Sequence, residues 1–218
     1  MEWLRLRGID AEAVELLDLA RVCPAAEWKG WQDYPWARCM GRPWGDGWRL
    51  VLPGYSAHGE LVTLRARWVL DGAPKGGKEV APAGHASGPA VYANKEARGA
   101  GYRCHKAVIV EGGPAWLRYA VAAEGHAAGP VAVVGLWAGS WDRKLATSFN
   151  DCRSGRIVAT DDDEAGDKYA ATVLADAAAL GVRAWRWRLT TPETQGRGPD
   201  DAGVSLDELL VIGGSDER

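Results

Sequence analysis

The hydrophobic pattern changes character near residue 105. Before it, apolar positions recur at helical spacing over 10–22 (DAEAVELLDLARV), with Asp10 placed to cap the first turn. Two strands follow at 48–55 and 60–70, joined by a turn at His58-Gly59. Residues 71–89 are rich in Gly, Pro and Ala, which marks a loop. Beyond 105, short apolar runs alternate with helical ones. KAVIV (106–110) precedes a helix from Pro114 to Ala123, and PVAVVGL (130–136) is the next strand. RIVAT (156–160) leads into a helix over 167–180 closed by Gly181, and VRAWRWRL (182–189) is the last strand. Wholly apolar strands separated by helices predict an α/β fold: a parallel, doubly wound sheet of about four strands with flanking helices. A smaller mixed α/β subdomain is expected before it, which divides the chain into 1–104 and 105–218.

Charge adds an asymmetry that the net value of −3 conceals. Residues 1–106 hold 15 Lys and Arg against 12 Asp and Glu, whereas 107–218 hold 11 against 17. A basic front half joined to an acidic back half suits a polyanion held beside a cation site. No run of eighteen apolar residues occurs, and the first residues lack an export signal, so a cytoplasmic chain with no membrane partner is expected. The four cysteines (Cys23, Cys39, Cys104, Cys152) form no Cys-x-x-Cys, so a zinc ribbon is not expected and reduced thiols are.

The acids have a position that matters. In a doubly wound sheet, ligands bind at the carboxyl ends of the strands. Glu111 follows the strand 106–110, and Asp161-Asp162-Asp163 follows the strand 156–160. Alternation points Asp161 and Asp163 the same way. At about 4 Å, each like-charge pair costs roughly 4 kcal/mol at an effective dielectric near 20, and a divalent cation removes that cost. Hard oxygen ligands favour Mg²⁺ or Mn²⁺. The same acids also suit a solvated cap of the helix over 167–180, and the residues alone leave both readings open.

The order strand, Glu-Gly, helix, strand, helix, strand, Asp-x-Asp-x-Ala-Gly, helix resembles the Toprim domain shared by primases, topoisomerases and some nucleases. VIVEGGPAWL (108–117) is similar to that family's Glu motif, and ATDDDEAGDKYA (159–170) to its Asp-x-Asp motif. VAVVGLWAGSW (131–141) resembles its middle strand and turn. The form Asp-x-Asp-x-Ala-Gly followed by Lys168 is closest to the DnaG-type primases, and WRLVLPGYSAHGELVTLRARWV (48–69) and AVYAN (90–94) resemble the segments that precede the Toprim domain there. The resemblance implies a DNA primase that synthesises RNA primers from NTPs on a single-stranded DNA template, with a replicative helicase as a further partner. It implies Glu111, Asp161 and Asp163 as catalytic residues and metal ligands, with Asp200 as an additional ligand. It also implies Arg65, Arg67, Lys75, Lys78 and Lys168 as contacts to template or nucleotide phosphates.

The chain departs from the family in places. Ala115 stands where many members carry a second acid, and the C-terminal acidic element is stretched into Asp200-Asp201…Asp207-Glu208. The zinc-binding module that accompanies primases is not expected within this sequence. These departures keep two other readings open: a Toprim nuclease, and a degenerate, non-catalytic Toprim module that binds DNA in a mobile-element replication system. Residues 72–78 (GAPKGGK) imitate a P-loop, but Glu79 stands where a hydroxyl is needed and Pro74 and Pro82 oppose the following helix, so that function is excluded.

Overall fold

A computed structural model of the chain describes residues 2–22, 38–39, 42–43, 47–72, 74, 77–81, 90–98, 104, 106–137, 140–148, 155–188 and 197–211. Lys75 and most of the Trp-rich stretch between Trp28 and Trp44 lie outside the described residues.

The front half opens with two short helices, α1 (Glu2–Arg5) and α2 (Ala11–Leu16). Asp10 caps α2 as expected, its carboxylate accepting from the amides of Glu12 (2.9 Å) and Ala13 (3.1 Å). The helix ends well before the predicted residue 22. Asp18 takes a left-handed conformation (φ 52°), and the amides of Asp18 and Leu19 return to the carbonyls of Glu15 and Val14. That is a Schellman closure with Asp where Gly is usual. It frees Arg21–Val22 (β1) to pair with the next long strand, a tertiary gain that helical periodicity cannot register.

After the two-residue pair β2 (Arg38–Cys39) and β3 (Arg42–Pro43) come β4 (Trp48–Tyr55), β5 (Leu61–Trp68) and β6 (Glu79–Val80). They form an antiparallel sheet in the order β1-β4-β5-β6. The remaining elements are β7 (Tyr92–Ala93), α3 (Lys95–Arg98), β8 (Lys106–Glu111), α4 (Gly112–Ala123), β9 (Val131–Leu136), α5 (Arg143–Ser148), β10 (Arg156–Ala159), α6 (Glu164–Ala179), β11 (Ala184–Arg186) and α7 (Leu206–Val211). They build a five-stranded sheet in the order β11-β10-β8-β9-β7, parallel throughout except for β7. β11 is shorter than the predicted strand 182–189.

The period of two explains the layers. Val108, Val110, Val131, Val133 and Ile157 face α4, α7 and the N-terminal helices, while Ala107, Ile109, Val134 and Val158 face α5 and α6. Every residue of β9 and β10 is buried, which is why these runs read as continuous apolar segments. The two sheets share the first core through Leu50 and Leu52 of β4, and an isolated bridge between Tyr55 and Val91 joins their edges. Among the described residues no helix is long and apolar enough to cross a membrane. Cys104 is disulfide-bonded, against the expectation of reduced thiols throughout.

Candidate metal centre and its basic flank

β8 and β10 are neighbours in parallel register, with Ala159 beside Val110, so the chain leaves both strands at the same carboxyl edge. Glu111 is the last residue of β8 and the cap position of α4, yet its side chain makes no capping hydrogen bond. Its Oε2 is buried without a hydrogen-bond partner among the described residues. A carboxylate so placed holds its proton more tightly: burial and the charge of Asp163 raise its pKa, against a backbone hydrogen bond from Asp161.

Asp161 is pushed up to about 7 by burial first, then by the charges of Glu111, Asp200, Asp163 and Asp201. Asp200 is also raised, by burial and then Asp201, although Arg118 opposes the shift. Arg118 further anchors this segment by donating to the Asp200 carbonyl at 2.8 Å. Gly198 lets the two carboxylates meet: a Cβ there would lie 2.5 Å from Asp161 Oδ1 and 2.8 Å from Asp200 Oδ1. Asp163 turns back to cap α6, its Oδ1 accepting from the Gly166 amide at 2.7 Å. Gly166 permits that tight entry, because a Cβ would sit 2.0 Å from the Asp161 carbonyl oxygen.

Five acids thus share one edge, drawn from β8, the β10–α6 turn and the segment before α7. Among the described residues no three of them already form a metal-binding group. The donor set still fits a hard divalent cation: Glu111 has an orphaned buried oxygen, and Asp161 carries unrelieved repulsion from four neighbours. Glu111, Asp161 and Asp200 are the side chains able to hold one, with Asp163 at the rim.

The basic residues divide. Arg65 lies over the ring of Trp137 at 4.0 Å, and Trp137 fits because β4 carries Gly54 beneath it. Arg67, two residues on, faces the same side and pairs with Glu79 at 2.8 Å, with side chains 14% and 12% exposed. Lys78 is exposed on the approach to β6. Lys168 is exposed on α6 and engaged with Glu164 at 2.7 Å, four residues earlier.

Several further charged side chains join this neighbourhood only in the folded chain. Arg7 stacks on Trp3 at 4.1 Å and feels the charges of Arg67, Asp201 and Asp200, which puts it between the basic and acidic groups. Arg186 pairs with Asp167 and reaches the Asp161 carbonyl at 3.4 Å, while Arg188 contacts Asp167 at 3.0 Å. The alternation in WRWRL carried a signal for the last two, since Arg186 ends β11 and Arg188 lies two residues beyond it, on the same side. Nothing local marked Arg7 or Glu79.

No protein-family model matches the chain, and no curated protein matches it. Solved structures do. The zinc-binding and RNA polymerase domains of the Aquifex aeolicus primase align with a TM-score of 0.65 at 18% identity, over 98% of this chain and 55% of that one. A DnaG primase catalytic domain bound to single-stranded DNA aligns at 0.61 and 17%, over 92% and 65%. The primase fragment of the bacteriophage T7 primase-helicase aligns at 0.55 and 17%, over 92% and 68%. The chain therefore has a mixed α/β fold with a mostly parallel sheet, and in particular a fold similar to that of the catalytic cores of DnaG-type primases. It spans about half to two thirds of the length of those chains.

Proposed function

We propose that this chain is the polymerising core of a DNA primase, with a Toprim domain over 105–218 and a template- and nucleotide-handling region over 1–104. The observation that carries the reading is the edge where Glu111 and Asp161 leave adjacent parallel strands and Asp161 meets Asp200 across Gly198. The face bearing Arg65 and Arg67 adjoins it through the contact of Glu79 with the amide of Gly113, two residues after Glu111. Likeness to primase cores, one of them bound to single-stranded DNA, supports the same direction.

The reaction joins a primer 3′-hydroxyl oxygen to the α-phosphorus of an NTP, breaks the bond to the β-phosphate and releases pyrophosphate. A divalent cation such as Mg²⁺ or Mn²⁺, when bound at the acidic edge, would supply charge neutralisation for the hydroxyl and the leaving pyrophosphate. Glu111, Asp161 and Asp200 would hold it, with Asp163 at the rim completing the set through the oxygen that does not cap α6. Glu111 Oε2, buried and unpaired, would serve either as a ligand to that cation or as the acceptor of the hydroxyl's proton. Arg65, Arg67, Lys75 and Lys78 orient the phosphates of template and nucleotide by charge, and Lys168 extends that surface along α6. A replicative helicase is the partner that would bring single-stranded template to this cytoplasmic enzyme.

Labelled NTPs on single-stranded DNA, with a cleavage assay on the same strand, test the reading. RNA product that requires Mg²⁺ or Mn²⁺ and vanishes in Asp161→Asn is expected. Metal-dependent cleavage without primer synthesis would instead make it a Toprim nuclease, and inertness in both assays with DNA binding intact a non-catalytic module.

A further inference from the structure

The Arg67–Glu79 pair is a cross-strand neighbour pair of β5 and β6, and it sits where the basic face meets the metal edge. Glu79 accepts from Arg67 Nη1 at 2.8 Å and from the Tyr92 hydroxyl at 2.8 Å, with a weaker approach from the Gly113 amide at 3.4 Å. Three donors therefore converge on one carboxylate. Arg67 Nε, meanwhile, is buried with no hydrogen-bond partner among the described residues, so the guanidinium retains donor capacity that Glu79 does not use. Arg65 and Arg7 bring further positive charge to the same neighbourhood.

We propose that Glu79 sets the affinity of this face for phosphate oxyanions: its carboxylate holds the Arg67 guanidinium until a phosphate of nucleotide or strand displaces it. The proposal rests on the reading of Arg67 as a phosphate contact. Glu79 acts through Arg67 and is a positioning residue. A carboxylate beside the arginine weakens binding at rest and discriminates against weakly charged anions. A multiply charged phosphate chain outcompetes it, because charge-assisted bonds to guanidinium strengthen with the anion's charge.

Glu79→Gln keeps the acceptor for Tyr92 and removes the charge. Binding to labelled oligo-dT is measured by anisotropy across a salt series, and binding to inorganic triphosphate by calorimetry. One phosphate contact contributes a log–log salt slope of about 0.7, worth roughly eightfold in affinity at about 50 mM salt. E79Q should therefore bind at least one probe several-fold more tightly, and where the DNA is the probe that gains, its slope should steepen by about 0.7. Arg67→Gln should erase that gain in the double variant. Gain with triphosphate alone assigns Arg67 to the nucleotide, and gain with DNA alone assigns it to the template. Glu79→Asp, too short to reach Arg67 and Tyr92 together, should show a smaller gain and serves if E79Q does not fold. Unchanged or weaker binding of both probes in the variants that fold overturns the proposal, even if the wild type makes primers. A gain in a protein that makes no primers would leave it standing while the primase reading fell.

Discussion

Asp161→Asn should make the metal-free protein more stable and the metal-bound protein no better. Asp161 is raised from 3.8 to about 7 by burial and by Glu111, Asp200, Asp163 and Asp201. A carboxyl with a raised folded-state value favours the protonated native protein, so its contribution is most stabilising below 3.8 and is lost as pH rises through about 7. The interval from 3.8 to about 7, at about 1.4 kcal/mol per pH unit, comes to roughly 4 kcal/mol. Asp161 is only partly buried, and solvent screening brings this to about 2 kcal/mol. For a chain of 218 residues that corresponds to a rise in Tm of about 4–8 °C for the Asn variant at pH 8 in EDTA. The gain should shrink towards zero near pH 4, where the wild-type carboxyl is itself protonated. If the proposed site binds Mg²⁺, the cation at a hundred times its Kd should stabilise the wild type by about 2.7 kcal/mol, and the variant, short of a ligand, should lose most of that shift. Melts at pH 4 and pH 8, with and without Mg²⁺, decide the matter. An Asn variant that melts no higher than wild type at pH 8 in EDTA, or that keeps the whole Mg²⁺ shift, refutes the reasoning.

Gly198→Ala pushes a methyl against Asp161 and Asp200, so the Mg²⁺-induced Tm shift should fall by half or more, while α4 and α6 keep their circular dichroism signal. Replacing Arg65 and Lys78 together by Ala should flatten the salt slope of single-stranded DNA binding by about 1.4, and an unchanged slope would move the template site elsewhere. Asp18→Gly relieves the left-handed strain at the end of α2 and should stabilise the fold by about 0.5–1 kcal/mol, read as a rise in urea midpoint at constant m.

Local periodicity was enough to determine β8, β9 and β10 together with α4 and α6, because strands buried on both faces and helices with one apolar face write their burial into neighbouring residues; α5, between β9 and β10, carried no such signal. The position of Glu111 and Asp161 at strand ends was legible for the same reason: parallel strands share a carboxyl edge whichever order they take. Tertiary structure decided the rest. α2 stops at Asp18 because β1 gains a partner in β4, and the short β7 joins the parallel sheet only through pairing with β9. Asp200, 39 positions after Asp161, reaches it because Arg118 on α4 anchors its carbonyl and Gly198 leaves room for both carboxylates. Arg67 reads as a free cation along the chain, and only the register of β5 with β6 sets Glu79 against it. A side chain's charge is written in the sequence, but the partner that neutralises it is chosen by strands that meet only after folding.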